Sequence, residues 1–446
     1  MTGGNESWPD LGSQNERLVV PLADQDERLL DPQIAQEAGL PVEPRPLVPR
    51  SRPAADDEPD GQAAGSGQRG WSGLRRLRRG RPVAAAAAVV SLAAAALAAG
   101  GLTAPHQASA ATAARPDAGG WRITLNLTAK HNPQFTAITA TGPAAAWAFE
   151  AFDPGTAAPA AWQLTGSGWH HAAFPGKSSE QVVAAGSTSA SNVWAFTQKN
   201  FTNGPSRALR WNGSGWQVLG TFSRAIGGAA VLGPRDVWVF GVDVFGQKEL
   251  GARHWNGHRW TTPSSGHGLT AGSGLAANDV WAVGGKQVAH WNGHTWQRTS
   301  LAGVLPPNTL LAHPFMEGIY EQSPSSVWAI ASGGRQDEGG PVILLHFNGH
   351  SWSKVAQRGF GDPVQIVPDG SGGLWIPVPG LSGAPSQILH FTGGKLHQVA
   401  LPITSRRLIV QAIAHAPGTT RSFGAGQIHK LNSLGLGLHA VLLQVN

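Results

Sequence analysis

The chain has 446 residues, of which 13% are charged, and it contains 59 Gly, 32 Pro and 18 Trp but no Cys. The lack of Cys excludes disulfides, thiol nucleophiles and Cys-ligated metal sites. The net charge of +6 is unevenly distributed along the chain, and no Lys/Arg stripe is interleaved with aromatics, so we expect no nucleic-acid binding. Many Gly and Trp with few charges are typical of short strands joined by turns.

The N-terminal part of the chain, residues 1–74, has no sustained hydrophobic periodicity. It is rich in Asp, Glu, Pro and Gly and carries 13 acidic against 6 basic residues. Such a segment buries too little apolar surface to offset the entropy lost on ordering. We therefore expect a disordered tail.

A basic flank and an apolar run follow the tail. Residues 75–82 contain five Arg, and residues 83–102 carry no charge. About 20 uncharged residues in a helix can cross a bilayer, and the Arg cluster would stay in the cytoplasm. This predicts a single-pass membrane protein with a cytoplasmic N-terminus, a linker at 103–118 and an external domain at 119–446. The alternative is a protein secreted after signal cleavage near Ala110, where Ala108-Ser109-Ala110 forms a small-residue site.

Three aromatic markers recur after residue 119, with a period of 43–48 residues for the first. The first marker is at Trp147, Trp194, Trp238, Trp281, Trp328 and Trp375, with Phe423 in the seventh place. The second is at Trp162, Trp211, Trp255, Trp291, Phe347 and Phe391. The third is at Trp169, Trp216, Trp260, Trp296, Trp352 and Leu396.

This period, with four short strands in each copy, predicts a β-propeller. Seven blades are expected, with six or eight as alternatives. An Asn-Gly turn joins the third and fourth strands of most copies. The last copy lacks a fourth strand, and residues 119–123 match one. We therefore expect the N-terminal strand to complete the last blade and close the ring.

The motif (D/N)VWAVG…HWNGxxW, which reads NDVWAVGGKQVAHWNGHTW at positions 278–296, resembles a known group of repeats. These are the Trp-rich, kelch-like propeller repeats of exported or membrane-anchored bacterial proteins, here of actinobacterial type. The resemblance covers about 330 residues. It implies an all-β propeller and leaves the activity open, because propellers host enzymes, scaffolds and binders alike.

Histidines and Asx residues recur at equivalent positions of different blades. The histidines are His254, His290, His346 and His390 before the second aromatic, and His258, His294 and His350 after the Asn-Gly turn. Equivalent positions lie around a ring and cannot converge on one ion, so we expect packing roles, no metal site and no cofactor. Asn192, Asp236 and Asp279 are expected to cap turns.

Function is expected where the repeat breaks, on the face that carries the connections from strand two to three and from strand four to the next strand one. The largest such insertion is residues 301–323, which includes the only Tyr. Exposed loops on a rigid scaffold often carry binding residues. The candidate ligand contacts are Phe152, Phe201, Phe245, Lys248, Glu317, Tyr320, Arg335, Asp337 and Glu338.

The functional hypothesis is a binding or scaffolding module for a cell-surface polymer or protein. We expect no enzyme activity, because no nucleophile elbow, phosphate loop or HExxH motif is present. The alternative is an extracytoplasmic carbohydrate-active hydrolase or lyase that uses acidic loop residues. Glu317, Glu321, Asp337 and Glu338 within about 5–10 Å of one another would favour it.

Overall fold

The structure is a computed structural model, and several segments of the chain fall outside the residues that it describes. It describes residues 120–128, 132–152, 157–166, 168–199, 204–241, 250–309, 312–334, 339–380, 386–403, 408–432 and 435–446. The tail (1–74), the basic flank (75–82), the predicted span (83–102) and the linker (103–118) lie outside these ranges. Among the described residues, no helix has the length and apolar character to cross a membrane.

The described ranges contain 28 strands. In chain order they are β1 (Arg122–Thr128), β2 (Pro133–Gly142), β3 (Ala145–Phe152), β4 (Ala160–Thr165), β5 (Gly168–Ala172), β6 (Glu180–Ser189), β7 (Asn192–Lys199), β8 (Ser206–Trp211), β9 (Trp216–Phe222), β10 (Ile226–Gly233), β11 (Asp236–Gly241), β12 (Arg253–Trp255), β13 (Trp260–Thr261), β14 (Ala271–Ala276), β15 (Asp279–Gly284), β16 (Gln287–Trp291), β17 (Trp296–Ser300), β18 (Phe315–Ser323), β19 (Ser326–Ser332), β20 (Gly340–Phe347), β21 (Trp352–Gly361), β22 (Val367–Pro368), β23 (Leu374–Val378), β24 (Gln387–Thr392), β25 (Lys395–Val399), β26 (Leu408–His415), β27 (Ser422–Asn432) and β28 (Gly435–Val445).

These strands form seven antiparallel four-stranded sheets, which confirms the prediction of seven blades. Blades 1 to 6 take four consecutive strands each, beginning at β2, β6, β10, β14, β18 and β22. Blade 7 takes β26, β27 and β28 and receives β1 as its outer strand, with Arg122 opposite Gln444 and Thr128 opposite His439. The predicted closure by the N-terminal strand is thus confirmed. It also pairs an edge that would otherwise be left open.

Aromatic side chains hold neighbouring blades together. Trp238, on the second strand of blade 3, meets Trp291 and Trp296 of blade 4 edge-on, with ring centroids 5.3 and 5.4 Å apart. Trp194 meets Trp255 and Trp260 in the same way, and Trp281 meets Trp352 edge-on and Phe347 at a tilt. Such pairs add to the stabilisation from burial, so the recurring Trp residues form the frame of the ring.

Blade 1 departs from the predicted marker assignment. The second marker is expected opposite the residue before the strand-two Trp, as Trp211 is opposite Val193. In blade 1 that place is taken by Leu164, opposite Ala146, whereas Trp162 lies opposite Ala148. The assignment of Trp162 to the repeat was therefore wrong. The correction also explains why Trp169 lies seven rather than five residues after Trp162, since it pairs with Leu164.

The Asn-Gly turns have the geometry that the sequence predicts. Asn292 Oδ1 accepts hydrogen bonds from the backbone N–H groups of His294 and Thr295, at 3.0 and 2.9 Å. Gly293 adopts a φ of +92°, which a side chain would strain. The same bonds occur at Asn212, Asn256 and Asn348. These turns define one face of the ring, together with the turns between strands one and two, and we call it the lower face.

Candidate functional site

The opposite face, called the upper face, carries the connections from strand two to three and from strand four to the next blade. Six predicted ligand contacts belong to such connections but lie outside the described residues, so they remain predictions. These are Phe201, Phe245, Lys248, Arg335, Asp337 and Glu338. The three contacts that the structure describes are Phe152, Glu317 and Tyr320.

All three of these residues lie on strands rather than in loops. Phe152 ends β3, is 8% exposed and pairs with Pro133. The predicted insertion at 301–323 is shorter than expected, because its last nine residues form β18, the innermost strand of blade 5. Glu317 and Tyr320 therefore lie on the innermost strand of blade 5 rather than in an exposed loop. This strand was not predicted from the sequence, because polar residues interrupt its apolar pattern. Its apolar residues Met316 and Ile319 pack into the core between blades 4 and 5.

Glu317 is the extra residue of a β-bulge. Its neighbours Met316 and Gly318 pair with successive residues of β19, and Glu317 has no partner in that strand. A bulge redirects a side chain out of the regular pleat. Bulges recur at the equivalent place in four other innermost strands, at Thr136, Val183, Gly227 and Gln411. All five residues are half-buried. One backbone position thus presents five different residue types near the upper end of the central channel.

Glu317 belongs to a cluster between blades 5 and 6, which we call the acidic junction (Glu317, Ser332 and Asp362). Ser332 Oγ donates a hydrogen bond to Asp362 Oδ1 at 2.8 Å, and both residues are buried. Burial, followed by repulsion from the Asp362 charge, raises the pKa of Glu317 well above its ordinary value of 4.5. The junction therefore places a carboxyl group of raised pKa beside the side chain of Asp362.

An exposed aromatic residue lies two positions before Asp362. Phe360 is the penultimate residue of the outer strand of blade 5 and is 51% exposed, the highest fraction among the large apolar side chains of the described residues. Gln387 Nε2 donates to its carbonyl oxygen at 3.2 Å, and the flanking Gly359 and Gly361 have positive φ values of +76° and +141°. The backbone is thus held in a conformation that presents the ring to solvent.

The repeat also breaks in blade 6, next to the acidic junction. Its innermost strand, β22, has two residues, whereas β18 has nine. The side chain of Gln365 replaces part of the missing strand by bonding to both the N–H and the carbonyl of Ile413 in blade 7. Sequence reasoning missed Phe360 and Asp362. The available signal was an aromatic between two glycines at the connection between two blades.

Tyr320 and Glu321 do not join the acidic junction. Tyr320 lies opposite Trp328, about 10 Å along the strand from Glu317, and burial raises the pKa of its hydroxyl. Glu321 faces blade 4: its N–H donates to Ser273 Oγ, and burial and then Asp279 raise the pKa of its carboxyl to about 8. Glu317 and Glu321 thus face different blades, and the clustering that would favour the hydrolase hypothesis is not found for this pair.

The strand-three histidines have packing roles, as predicted. His290 Nε2 lies 2.7 Å from Asp279 Oδ1, and its ring stacks on Trp281 with centroids 4.5 Å apart. The same arrangement holds His254 between Asp236 and Trp238, His390 between Asp369 and Trp375, and His346 between Ser326 and Trp328. Across the described ranges, no group of three His, Asp or Glu residues could hold a metal ion.

The prediction that Asp236 and Asp279 cap the turn backbone is corrected by these contacts. Both carboxylates bind a histidine of the neighbouring strand instead. Asn192 likewise bonds to side chains, accepting from Trp194 Nε1 at 3.0 Å and donating to Thr188 at 2.7 Å. The turns of these blades are therefore tied to the sheet through side chains.

Blade 1 contains a second buried carboxyl group, Glu150. It is 2% exposed and accepts a hydrogen bond from Trp162 Nε1 at 2.7 Å. Burial raises its pKa to about 7, although the bond from Trp162 opposes this shift. Trp162, the one propeller Trp that departs from the marker positions, thus donates a hydrogen bond to Glu150, and no other blade has a glutamate at this position. The equivalent position in blade 2 is occupied by Thr197.

Comparison with known proteins finds solved structures of similar fold but no matching family. No protein-family model and no curated protein sequence matches the chain. A structure of YCF48 bound to a D1 peptide is 13% identical with a TM-score of 0.47, covering 75% of this chain and 99% of that one. YCF48 from Cyanidioschyzon merolae is 14% identical with a TM-score of 0.43, covering 73% and 99%.

PorZ, a surface component of the type-IX secretion system of Porphyromonas gingivalis, is 13% identical with a TM-score of 0.43. The match covers 70% of this chain but 38% of PorZ, so the chain spans about two-fifths of that protein. The seven-bladed fold of this chain is established by its own strand order.

Proposed function

We propose that this chain is a membrane-anchored, extracytoplasmic propeller that binds or scaffolds a cell-surface polymer or protein through its upper face. The observation that carries the proposal is the acidic junction beside the exposed Phe360, at the place where the repeat breaks most strongly. The residues of the frame recur because packing requires them. Residues that differ between equivalent positions are free to serve recognition.

The chemistry of this region suits a ligand with both apolar and polar groups. Phe360 offers an aromatic surface that a sugar ring or an apolar side chain can cover. The raised pKa of Glu317 favours the protonated form, which can donate a hydrogen bond, and the carboxyl oxygens of Asp362 can accept one. Both lie on a scaffold whose inner and outer strands are fixed by neighbouring blades. Such preorganisation limits the entropy lost on binding.

The anchoring part of the proposal is supported by the sequence alone. The uncharged run at 83–102 follows five Arg, which favours a cytoplasmic N-terminus and an external propeller. The recurring (D/N)VWAVG…HWNGxxW motif supports a kelch-like repeat protein of exported bacterial type. We place the chain there as part of the same proposal, with an actinobacterial origin.

The test is a binding screen of the full-length chain in detergent against a glycan array, cell-wall polymers and a displayed peptide library. Phe360→Ala and Asp362→Asn are compared with His350→Ala, an exposed change on the lower face. We expect saturable binding that falls at least about tenfold in the two upper-face variants, equivalent to about 1.4 kcal/mol. Binding that all three variants retain would contradict the placement, and no binder at all would contradict the function.

One observation favours hydrolysis as a second candidate function. A carboxyl group of raised pKa beside a second carboxyl group, as in Glu317 and Asp362, is the kind of pairing that glycoside hydrolysis uses. Turnover of a bound polymer, lost in Glu317→Gln with binding retained, would establish this candidate. Binding without turnover would support the binding module over the hydrolase.

A further inference from the structure

The exposed charged side chains that the structure describes on the lower face are all basic. Arg122, Arg235, Arg259 and Lys395 are exposed on its turns and strand starts. Throughout the described ranges, each acidic side chain is buried or half-buried. These residues are Glu150, Glu180, Asp236, Asp279, Glu317, Glu321, Asp362 and Asp369.

The acidic residues nearest the lower face are already engaged. Asp236, Asp279 and Asp369 lie within 2.7 or 2.8 Å of a histidine nitrogen, with side chains 18%, 22% and 4% exposed. The remaining acidic residues after position 119 fall in connections from strand two to three, outside the described ranges: Asp153, Asp243, Glu249, Asp337 and Glu338. The described part of the lower face therefore presents exposed positive charge only.

The chain enters the propeller at this same face. Every fourth strand begins at the lower face, and β1 serves as the fourth strand of blade 7, with Arg122 opposite Gln444 near the C-terminus. Residues 103–119, 17 in all, separate the predicted span from Gly120. For 17 residues, random-coil statistics give a root-mean-square reach of about 20–25 Å. The membrane would thus lie close to the lower face.

We infer that the lower face docks on the anionic lipid headgroups of the membrane that the chain crosses, so that the acidic junction faces away from the lipid. This inference rests on the anchoring proposed above. Charge complementarity and the point of chain entry favour a lipid surface over a soluble polyanion. Each basic residue near an anionic surface changes the docking equilibrium by about fivefold, and the attraction weakens within a Debye length.

The test uses the absence of Cys, which permits single labelled sites in the full-length chain. Two exposed residues of blade 4 make a matched pair: His294 in its lower turn and Gln287 at its upper end, separated by the length of β16, about 13 Å, and part of the turn. His294→Cys and Gln287→Cys each carry a donor dye, and the lipid carries the acceptor. Energy transfer is measured in phosphatidylcholine vesicles with and without about 30% phosphatidylglycerol.

We expect stronger transfer from position 294 than from position 287, increased by phosphatidylglycerol and reduced by salt. The variant Arg122→Gln, Arg235→Gln, Arg259→Gln and Lys395→Gln should lose the increase, since four charges change the equilibrium by about several hundredfold. The control Lys177→Gln, Lys199→Gln and Arg358→Gln removes three charges from exposed sites away from the lower turns and should retain it. Stronger transfer from position 287, or equal loss in both variants, would overturn the inference.

Two further measurements separate this inference from the proposed anchoring. Flotation with phosphatidylcholine vesicles in about 1 M salt reports the anchor without the charges. A chain that does not float has no anchor, and the inference falls with it. A chain that floats but shows no response to phosphatidylglycerol keeps its anchor and lacks the docking face. Added polyphosphate that binds while position 294 stays distant from lipid would assign the face to a soluble polyanion and overturn the inference.

Discussion

The lower and upper sides of the blades differ in what is repeated. On the lower side, the same set of a Trp, a stacked histidine and a hydrogen-bonding partner recurs in blades 3, 4, 5 and 6. On the upper side, one bulged position carries Thr136, Val183, Gly227, Glu317 or Gln411. Recurrence marks residues that the ring needs for packing, and variation on a constant backbone marks residues available for recognition.

We expect changes to the frame of recurring Trp residues to alter stability and to leave recognition unchanged. Trp238→Ala should have the largest effect. Trp238 is fully buried and contacts two aromatics of the next blade. We expect the free energy of unfolding to fall by about 3–5 kcal/mol. Chemical denaturation measures it. Trp238→Phe should lose less, and a fall below about 1 kcal/mol for the Ala variant would contradict the role of the frame.

The pH dependence of stability tests Glu150, the buried carboxyl group of blade 1. The pKa of Glu150 is about 7 in the folded chain and 4.5 ordinarily, so the folded state binds more protons between these values. Its contribution is fully present below pH 4.5 and is lost as pH rises towards 7, by about 3 kcal/mol. Denaturation midpoints from pH 4 to 8 should therefore fall more in the wild type than in Glu150→Gln. Parallel pH profiles would contradict this account.

Asp279→Ala tests the repeated hydrogen bond that holds His290 on Trp281. Removing the carboxylate leaves the half-buried imidazole without its 2.7 Å partner, and we expect a loss of about 1–2 kcal/mol. Thermal denaturation measures the change. The same substitution should leave ligand binding at the upper face unaltered. A large loss of binding with little loss of stability would reverse the assignment of the two sides.

Gly293→Ala tests the lower turns, with an expected effect no larger than that of Asp279→Ala. Its φ of +92° is unfavourable for Ala, and a Cβ there would lie 2.9 Å from Cβ of Asn278, so we expect a loss of about 1–2 kcal/mol. Gly142→Ala is the matched control, since no atom lies within 4 Å of its added Cβ and its φ is not positive. Equal unfolding midpoints for the two variants would show that the turn conformation adds no stability.

Much of the fold follows from the sequence because its signals are local and repeated. The Trp markers, the Asn-Gly turns and the unmatched strand at residues 119–123 predicted seven blades and their closure. The assignment failed at Trp162, where spacing alone placed a unique residue in the repeat. Only the strand register, with Leu164 opposite Ala146, distinguishes the two.

The candidate site was harder to predict from the sequence because it joins residues from separate strands. Glu317 was predicted as a ligand contact, but in a loop rather than on β18. Its neighbour Asp362 lies 45 positions later in the chain, and a carboxylate at the end of an outer strand resembles ordinary polar surface. The pairing depends on a bulge and on the path between two blades, neither of which a residue pattern displays.

The proposed function depends most on recognition at the upper face. The measurement that tests it most directly is the binding of one screened ligand to the full-length chain and to Phe360→Ala and Asp279→Ala, with unfolding midpoints recorded for each. We expect Phe360→Ala to lose at least about tenfold in affinity at an unchanged midpoint, and Asp279→Ala to lose stability at unchanged affinity. Affinity lost in Asp279→Ala and retained in Phe360→Ala would contradict the account.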